Sequence, residues 1–221
     1  MGERILVINP NSNEKVTAGM SEALEGFRHE GGPAIDCDTL HEGPPGIESQ
    51  VHSDLVVGPL CRMVIEEQPH TAAFVIACFS DPGLHSLRET TERPVMGIAE
   101  AGVTTALNLG QQVGIISILP NSIPRHRRYF RAMGVEGAIA GDLPISMTVA
   151  ELADEKKVFQ RMSEVGARLR DEYGADVMVM ACAGFSSQRA GLEEALQVPV
   201  VDPTQAAVGM AMTVLASRSR T

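Results

Sequence analysis

At 221 residues, with 44% hydrophobic and 21% charged positions, the chain has the composition of an ordinary soluble globular protein. That length is enough for one large domain or two small ones, and either can bury a true core. A formal net charge of −10, with Lys/Arg clustering confined to Arg125-His126-Arg127-Arg128 and Arg131, argues against nucleic acid or an anionic membrane as a partner.

In chain order, short β-branched or apolar runs alternate with longer segments of helical period. The predicted strands lie at 4–9, 35–40, 72–78 and 95–98, then at 112–118, 135–140, 176–182 and 198–201. Helical periodicity covers 13–27, 54–67, 99–109, 154–173 and 205–215. Met1-Gly2-Glu3-Arg4 leads directly into the first strand without a signal peptide, and no apolar stretch approaches the roughly 20 residues that span a bilayer. The expected location is therefore the cytoplasm. Alternation of strand and helix implies βαβ units, parallel sheets and right-handed crossovers. Residues 41–53, with Gly43-Pro44-Pro45-Gly46, read as a long loop at a strand end. Such loops are either functional lids or plain surface turns, and both readings stay open.

The pattern repeats. Pro10-Asn11-Ser12 returns as Pro120-Asn121-Ser122, Ala77-Cys78 as Ala181-Cys182, and Pro94-Val95 as Pro199-Val200, in the same order and at nearly constant offset. The eight strands thus divide into two sets of four, and the expected fold is α/β. It consists of two similar halves, each a four-stranded parallel sheet flanked by helices, related by a pseudo-two-fold axis. The first half runs over 1–99 and the second over 100–201. The last helix, within 202–221, corresponds to 101–109, and the sequence leaves open which half it packs on.

Ligands of open parallel α/β sheets bind outside the carboxyl ends of the strands. Cys78, Cys182, Asn11, Ser117 and Asn121 are all placed at such ends. Asn11, Ser12 and Ser122 also stand where a helix N-cap is needed, so cap and ligand roles are both open for them. The basic patch at 125–131 reads as a solvated helix face. Cys37, inside a strand, and Cys61, inside an amphipathic helix, read as small hydrophobes. Without CxxC spacing the four cysteines are expected to be free thiols, and the six histidines lack metal-ligand spacing. Neither a nucleotide fingerprint nor a zinc motif is present, so no cofactor and no metal are expected.

Cys78 and Cys182 differ from the other two thiols. Each ends a strand, precedes small or turn-forming residues, and is the other's counterpart in the repeat. A strand end facing backbone N–H groups is expected to lower a thiol pKa toward the range where proton exchange is efficient. Two opposed thiols suit the inversion of a carbon centre next to a carbonyl, where one face gives up a proton and the other receives one. The enolate formed in between requires donors at its oxygen. Candidates are the backbone N–H groups of Phe79, Ser80, Ala183 and Gly184 and the side chains of Asn11, Ser117, Asn121 and Ser122.

These residues resemble the aspartate/glutamate racemase superfamily, in particular its hydantoin racemase branch. The resemblance rests on Ile8-Asn9-Pro10-Asn11-Ser12, Gly43-Pro44-Pro45-Gly46-Ile47-Glu48 and Ile76-Ala77-Cys78-Phe79-Ser80-Asp81-Pro82-Gly83-Leu84. It continues through Pro94-Val95-Met96-Gly97-Ile98-Ala99-Glu100-Ala101 and Cys182-Ala183-Gly184. It implies two flavodoxin-like halves, an active site in the cleft between them, no cofactor, and Cys78 and Cys182 as the two bases. It also implies a small-molecule substrate, a 5-substituted hydantoin or allantoin, and a homo-oligomer. The chain departs from the family pattern at Ala181 (usually Gly), at Phe185 (usually Met) and at Ile116-Ser117-Ile118, where a Thr-Thr-Leu type of strand end is common. Phe79 and Phe185 would give the pocket an apolar side. Other chemistries remain open: a maleate-type cis–trans isomerase with one nucleophilic cysteine, a related decarboxylase, a two-lobed binding protein without catalysis, or a thiol switch.

Overall fold

The computed structural model describes residues 4–218. Residues 1–3 and 219–221, the latter the end of the expected terminal helix, lie outside the described residues. Strands β1 (Arg4–Asn9), β2 (Ala34–Thr39), β3 (Ala73–Ile76) and β4 (Val95–Gly97) form one parallel sheet in the order β2-β1-β3-β4. Strands β5 (Val113–Ser117), β6 (Ile139–Pro144), β7 (Val177–Met180) and β8 (Val200–Val201) form a second in the order β6-β5-β7-β8. The two orders are the same when each strand is matched to its repeat, so the duplication seen in the sequence is a duplication of topology.

The central strands are apolar throughout because both faces are covered. Alternation along β1 sends Ile5 and Val7 to one core and Leu6 and Ile8 to another, and β3 divides Ala73 and Val75 from Phe74 and Ile76 in the same way. In the second sheet Val113, Ile115, Val177 and Val179 face one side, and Ile116, Met178 and Met180 face the other.

Helices α1 (Glu14–Ala23), α2 (Gln50–Leu55), α3 (Val57–Glu67), α4 (Leu84–Thr90) and α5 (Ile98–Ala106) belong to the first part of the chain. They are followed by α6 (Ile123–Ala132), α7 (Glu155–Tyr173), α8 (Arg189–Leu196) and α9 (Pro203–Arg218). The sixth strand begins four residues later than its predicted start. Gly134 ends α6 in the left-handed region (φ 74°), and Glu136–Ala138 form a 3-10 turn. Pairing with β5 can therefore start only at Ile139. The second predicted helix divides at Val56, and its first part starts at Gln50, where the Ser49 hydroxyl caps the His52 N–H.

Helices α5 and α9 each pack across to the other half. Helix α5 follows the first sheet but places Ala99, Val103 and Ala106 against Val113, Ile115, Val177, Val179 and Val201 of the second. Helix α9 follows the second sheet but places Ala207, Val208, Ala211 and Leu215 against Ile5, Val7, Ala73 and Val75 of the first. Gly102 is where α5 meets α9 and β7, since a Cβ there would stand 2.8 Å from Pro203 Cβ. Among the described residues no helix is long and apolar enough to cross a membrane.

Candidate active site

Cys78 and Cys182 stand in equivalent backbone geometry. After β3 the Ala77 N–H donates to Ile8 O (2.9 Å) and the Cys78 N–H to Ile76 O (3.1 Å). After β7 the Ala181 N–H donates to Ile116 O (2.9 Å) and the Cys182 N–H to Met180 O (2.9 Å). Each chain has thus left its ladder, and a tight turn returns the following N–H groups toward the sulfur. Gly184 N–H points at Cys182 Sγ at 3.4 Å, and the Ser80 N–H and hydroxyl act on Cys78 in the same sense. Both thiols are free, as are Cys37 and Cys61.

One cavity takes a wall from each half and holds both thiols. Its lining includes Asn11, Phe79, Ser80, Ser122, Ala183 and Gly184 beside Cys78 and Cys182. Asn11 Oδ1 accepts from Asn9 Nδ2 and from the Asn13 N–H, which leaves its Nδ2 as the donor toward the cavity. It caps no helix, because Asn13 caps α1 through the Lys15 N–H. Ser122 precedes α6 without a side-chain cap bond, and its hydroxyl instead accepts from Arg125 Nη2 at 3.4 Å.

Two of the expected donors do not line the cavity. Ser117 shares the parity of Val113 and Ile115, so strand alternation turns it under α6, where its hydroxyl donates to Asp142 and lies 3.3 Å from His126 Nδ1. Its neighbour Ile118 takes the wall position. Asn121 is exposed and donates from Nδ2 to Glu48 O at 2.9 Å. Phe185 is also absent from the wall, fully buried in the core under α7 and α8. Val16, Ile47, Ile118 and Val149 supply the apolar side together with Phe79.

The basic patch is only in part a solvated face. Arg127, Arg128 and Arg131 are exposed, but Arg125 and His126 turn inward and line the cavity. Arg125 Nε donates to Ser80 Oγ at 2.8 Å. His126 Nδ1 stands 2.9 Å from Asp142 Oδ2, so the carboxylate fixes the proton on Nδ1. The His126 ring packs edge-on to Phe79, with centroids 5.2 Å apart. The signal that separates Arg125 and His126 from their neighbours is the helical period of α6, which places them on the buried face with Ser122 and Phe130.

The loop after β2 covers the cavity. Ile47 is buried in the first core, the Val149 N–H donates to Glu48 Oε1 at 2.9 Å, and the Ser12 N–H donates to Pro44 O at 3.0 Å. The lid reading is the one this geometry fits, since the loop ties both halves together over the thiols.

A family model described as Asp/Glu/hydantoin racemase matches residues 5–211. The chain belongs to this family. A hydantoin racemase of Paenarthrobacter aurescens is 33% identical to it over 216 residues, covering 96% of this chain and 91% of that one. A hydantoin racemase of Rhizobium meliloti is 32% identical over 224 residues, with 96% and 88% covered. Among solved structures, an allantoin racemase from Klebsiella pneumoniae superposes with a TM-score of 0.92 at 28% identity, covering 97% of this chain and 88% of that one. Membership makes the chain a racemase-type isomerase acting on a small molecule.

The electrostatics of the cavity correct one expectation. The strand-end thiols were expected to ionise readily, but burial wins over the donors around them. Burial pushes Cys78 up to about 11, although the Ser80 N–H and the Arg125 charge draw it down. Burial pushes Cys182 up to about 12, with only the Gly184 N–H drawing it down and the Cys78 and Asp202 charges raising it further. The two halves are therefore alike in backbone and unlike in charge, because the cation stands on the Cys78 side. Asp81 follows Cys78 and accepts from the Ala99 and Glu100 N–H groups at the start of α5, at 2.9 Å each, and from the Tyr129 hydroxyl at 2.8 Å. Gly97 makes this approach possible, since a Cβ there would lie 2.2 Å from Asp81 Cγ. Burial pushes the Asp81 carboxyl up to about 7. Among the described residues no cluster of three or more His, Cys, Asp or Glu could hold a metal ion.

Proposed function

We propose that this protein is a cofactor-independent racemase of 5-substituted hydantoins or a related cyclic ureide such as allantoin, working by two-base proton transfer between Cys78 and Cys182. The observation that carries the reading is that the two repeat-related thiols, one from each half, line the same cavity. The relatives that bear the name hydantoin racemase and the superposition on an allantoin racemase support the substrate class.

The chemistry follows from the arrangement. One thiolate removes the proton from the carbon next to the carbonyl, and the C–H electron pair passes into the enolate. The opposed thiol then gives its proton to the other face of the same carbon, leaving a thiolate there. The reverse direction exchanges the two roles. Asn11 Nδ2 stands on the wall as a donor for a ring carbonyl and the Ser122 hydroxyl oxygen as an acceptor for a ring N–H, and Val16, Ile47, Ile118 and Val149 accept an apolar 5-substituent. In this reading the protein is a cytoplasmic homo-oligomer and the halves divide at 99/100.

The test is chiral chromatography of a hydantoin panel and allantoin in buffered D2O. Wild-type protein is expected to racemise at least one of them with one deuterium incorporated. Cys78→Ser and Cys182→Ser are each expected to lose racemisation, while exchanging the α-proton of one enantiomer only. Normal racemisation by both single variants would sink the two-thiol mechanism. A trapped thioether to substrate would instead point to the nucleophilic isomerase chemistry.

A further inference from the structure

Among the described residues the Arg125 guanidinium, a buried cation, has no carboxylate partner. The residue is 9% exposed, and its hydrogen bonds go to two neutral hydroxyls, Ser80 Oγ at 2.8 Å and Ser122 Oγ at 3.4 Å. The carboxylates of the neighbourhood are otherwise engaged. Asp142 holds His126 and Ser117, and Asp81 holds the start of α5 and Tyr129. The charges that act on Arg125 are the Cys78 sulfur and the exposed Arg128. A buried charge without compensation is strongly unfavourable, so a fold keeps one where a ligand or reaction supplies the opposite charge. Arg125 also lines the cavity, on the wall that carries Cys78.

The geometry points to Arg125 as an oxyanion subsite: it holds the carbonyl oxygen next to the reacting carbon and takes up the negative charge when that carbonyl becomes an enolate. This rests on the racemase reading for the identity of the substrate, though not for the charge of the site. The step balances. The Cys78 sulfur gains the proton and loses its negative charge, the C–H electron pair becomes the enolate double bond, and the carbonyl oxygen receives the charge. A guanidinium beside both sulfur and oxygen stabilises the charge before and after the transfer, so the proton moves without a large change in electrostatic energy. Substrates are then carbon acids with a planar carbonyl or imide, neutral at rest and anionic in the intermediate, and Arg125 is the group that separates them from neutral look-alikes.

Alkylation of Cys78 measures the subsite without any racemase assay. Iodoacetate and iodoacetamide both react at a carbon next to a carbonyl, the thiolate displacing iodide, but only the former carries an anionic oxygen at the position proposed for the enolate. The ratio of the two rates at Cys78, read by peptide mass spectrometry, cancels any change in thiolate population. In the wild-type protein this ratio is expected to exceed that of 2-mercaptoethanol. Arg125→Met is expected to lower it by about tenfold, the scale of one charge-assisted hydrogen bond, while Arg125→Lys keeps most of it. A wild-type ratio equal to that of 2-mercaptoethanol overturns the subsite even if the Met variant fails to fold. So does a ratio unchanged in Arg125→Met, which would make Arg125 merely a counter-ion of the Cys78 thiolate. Protein that has the anion preference but leaves every hydantoin unracemised retains the subsite and removes the hydantoin reading. Racemisation without the preference does the reverse.

Discussion

Cys78 carries a cation beside it and Cys182 does not, and this difference sets the pH behaviour of the site. In the proposed two-thiol mechanism the reactive form has one thiolate and one thiol, and burial holds both groups above the ordinary thiol range, Cys78 at about 11 and Cys182 at about 12. kcat/KM for racemisation is therefore expected to rise about tenfold per pH unit from about pH 7 to about pH 9, because the free enzyme is being converted to its active form. A plateau reached by about pH 8 would contradict it. The same shifts act on stability. A folded-state thiol pKa above the unfolded value favours folding while the thiol is neutral, and this contribution is lost as pH rises through the folded value. The urea midpoint is expected to fall as pH rises from about 9 toward 11, and to fall less in Cys182→Ala. Of the residues on the wall, the two thiols, Asn11, Phe79, Ser80, Ser122, Ala183 and Gly184 were legible in the sequence as a repeat at strand ends. Arg125 and His126 were not, because a run of basic residues has the same composition whether it faces solvent or a cavity.

Elements decide which of these side chains point inward. The buried Asp142–His126 pair joins β6 to α6, with side chains 9% and 4% exposed. Asp142→Ala is expected to cost about 3 kcal/mol in a denaturant titration, since it strands a buried imidazole and the Ser117 hydroxyl. A loss under about 1 kcal/mol would mean that the pair is not a structural tie between these elements. The loop after β2 offers a separate test. Glu48 accepts from the Val149 N–H through its side chain and from Asn121 through its backbone, so one residue joins the loop to the second half at two points. Glu48→Ala is expected to raise KM about three- to tenfold with kcat nearly unchanged, as loss of one charge-assisted contact on a cover and not on the reacting groups implies. An effect on kcat alone would assign Glu48 to the chemistry. Turn residues in 43–46 marked this segment as a loop, but only the contacts to Asn121 and Val149 in the second half make it a cover.

At the scale of the whole molecule, α5 and α9 cross between the halves, so the inner core of each sheet is completed by a helix that follows the other sheet. Truncation after Asp202 removes Ala207, Val208, Ala211 and Leu215 from the first sheet and exposes Val7 and Val75. Val208 and Leu215 contribute about 1.5–3 kcal/mol each and the two alanines about 0.8 each, a sum comparable to the lower part of the 5–15 kcal/mol margin of a typical domain. The truncated chain is expected to lose near-UV circular dichroism and cooperative melting. Retention of a cooperative transition would show that the first half folds without α9. The intact chain is expected to melt in one transition, seen alike by fluorescence-labelled Cys37 and by far-UV dichroism, because neither half is complete alone.

By itself the sequence determined the eight strands, the duplication, the family resemblance and the pairing of Cys78 with Cys182. These follow from local periodicity and from residue identity, which neighbouring positions carry between them. Tertiary structure alone decided that α9 returns to the first sheet, that Ser117 turns under α6 while Ile118 reaches the cavity, and that Arg125 stands buried beside Cys78. Each of those depends on burial and hydrogen bonding between segments far apart in the chain. There the free energy of a side chain is set by its surroundings and not by its neighbours in sequence.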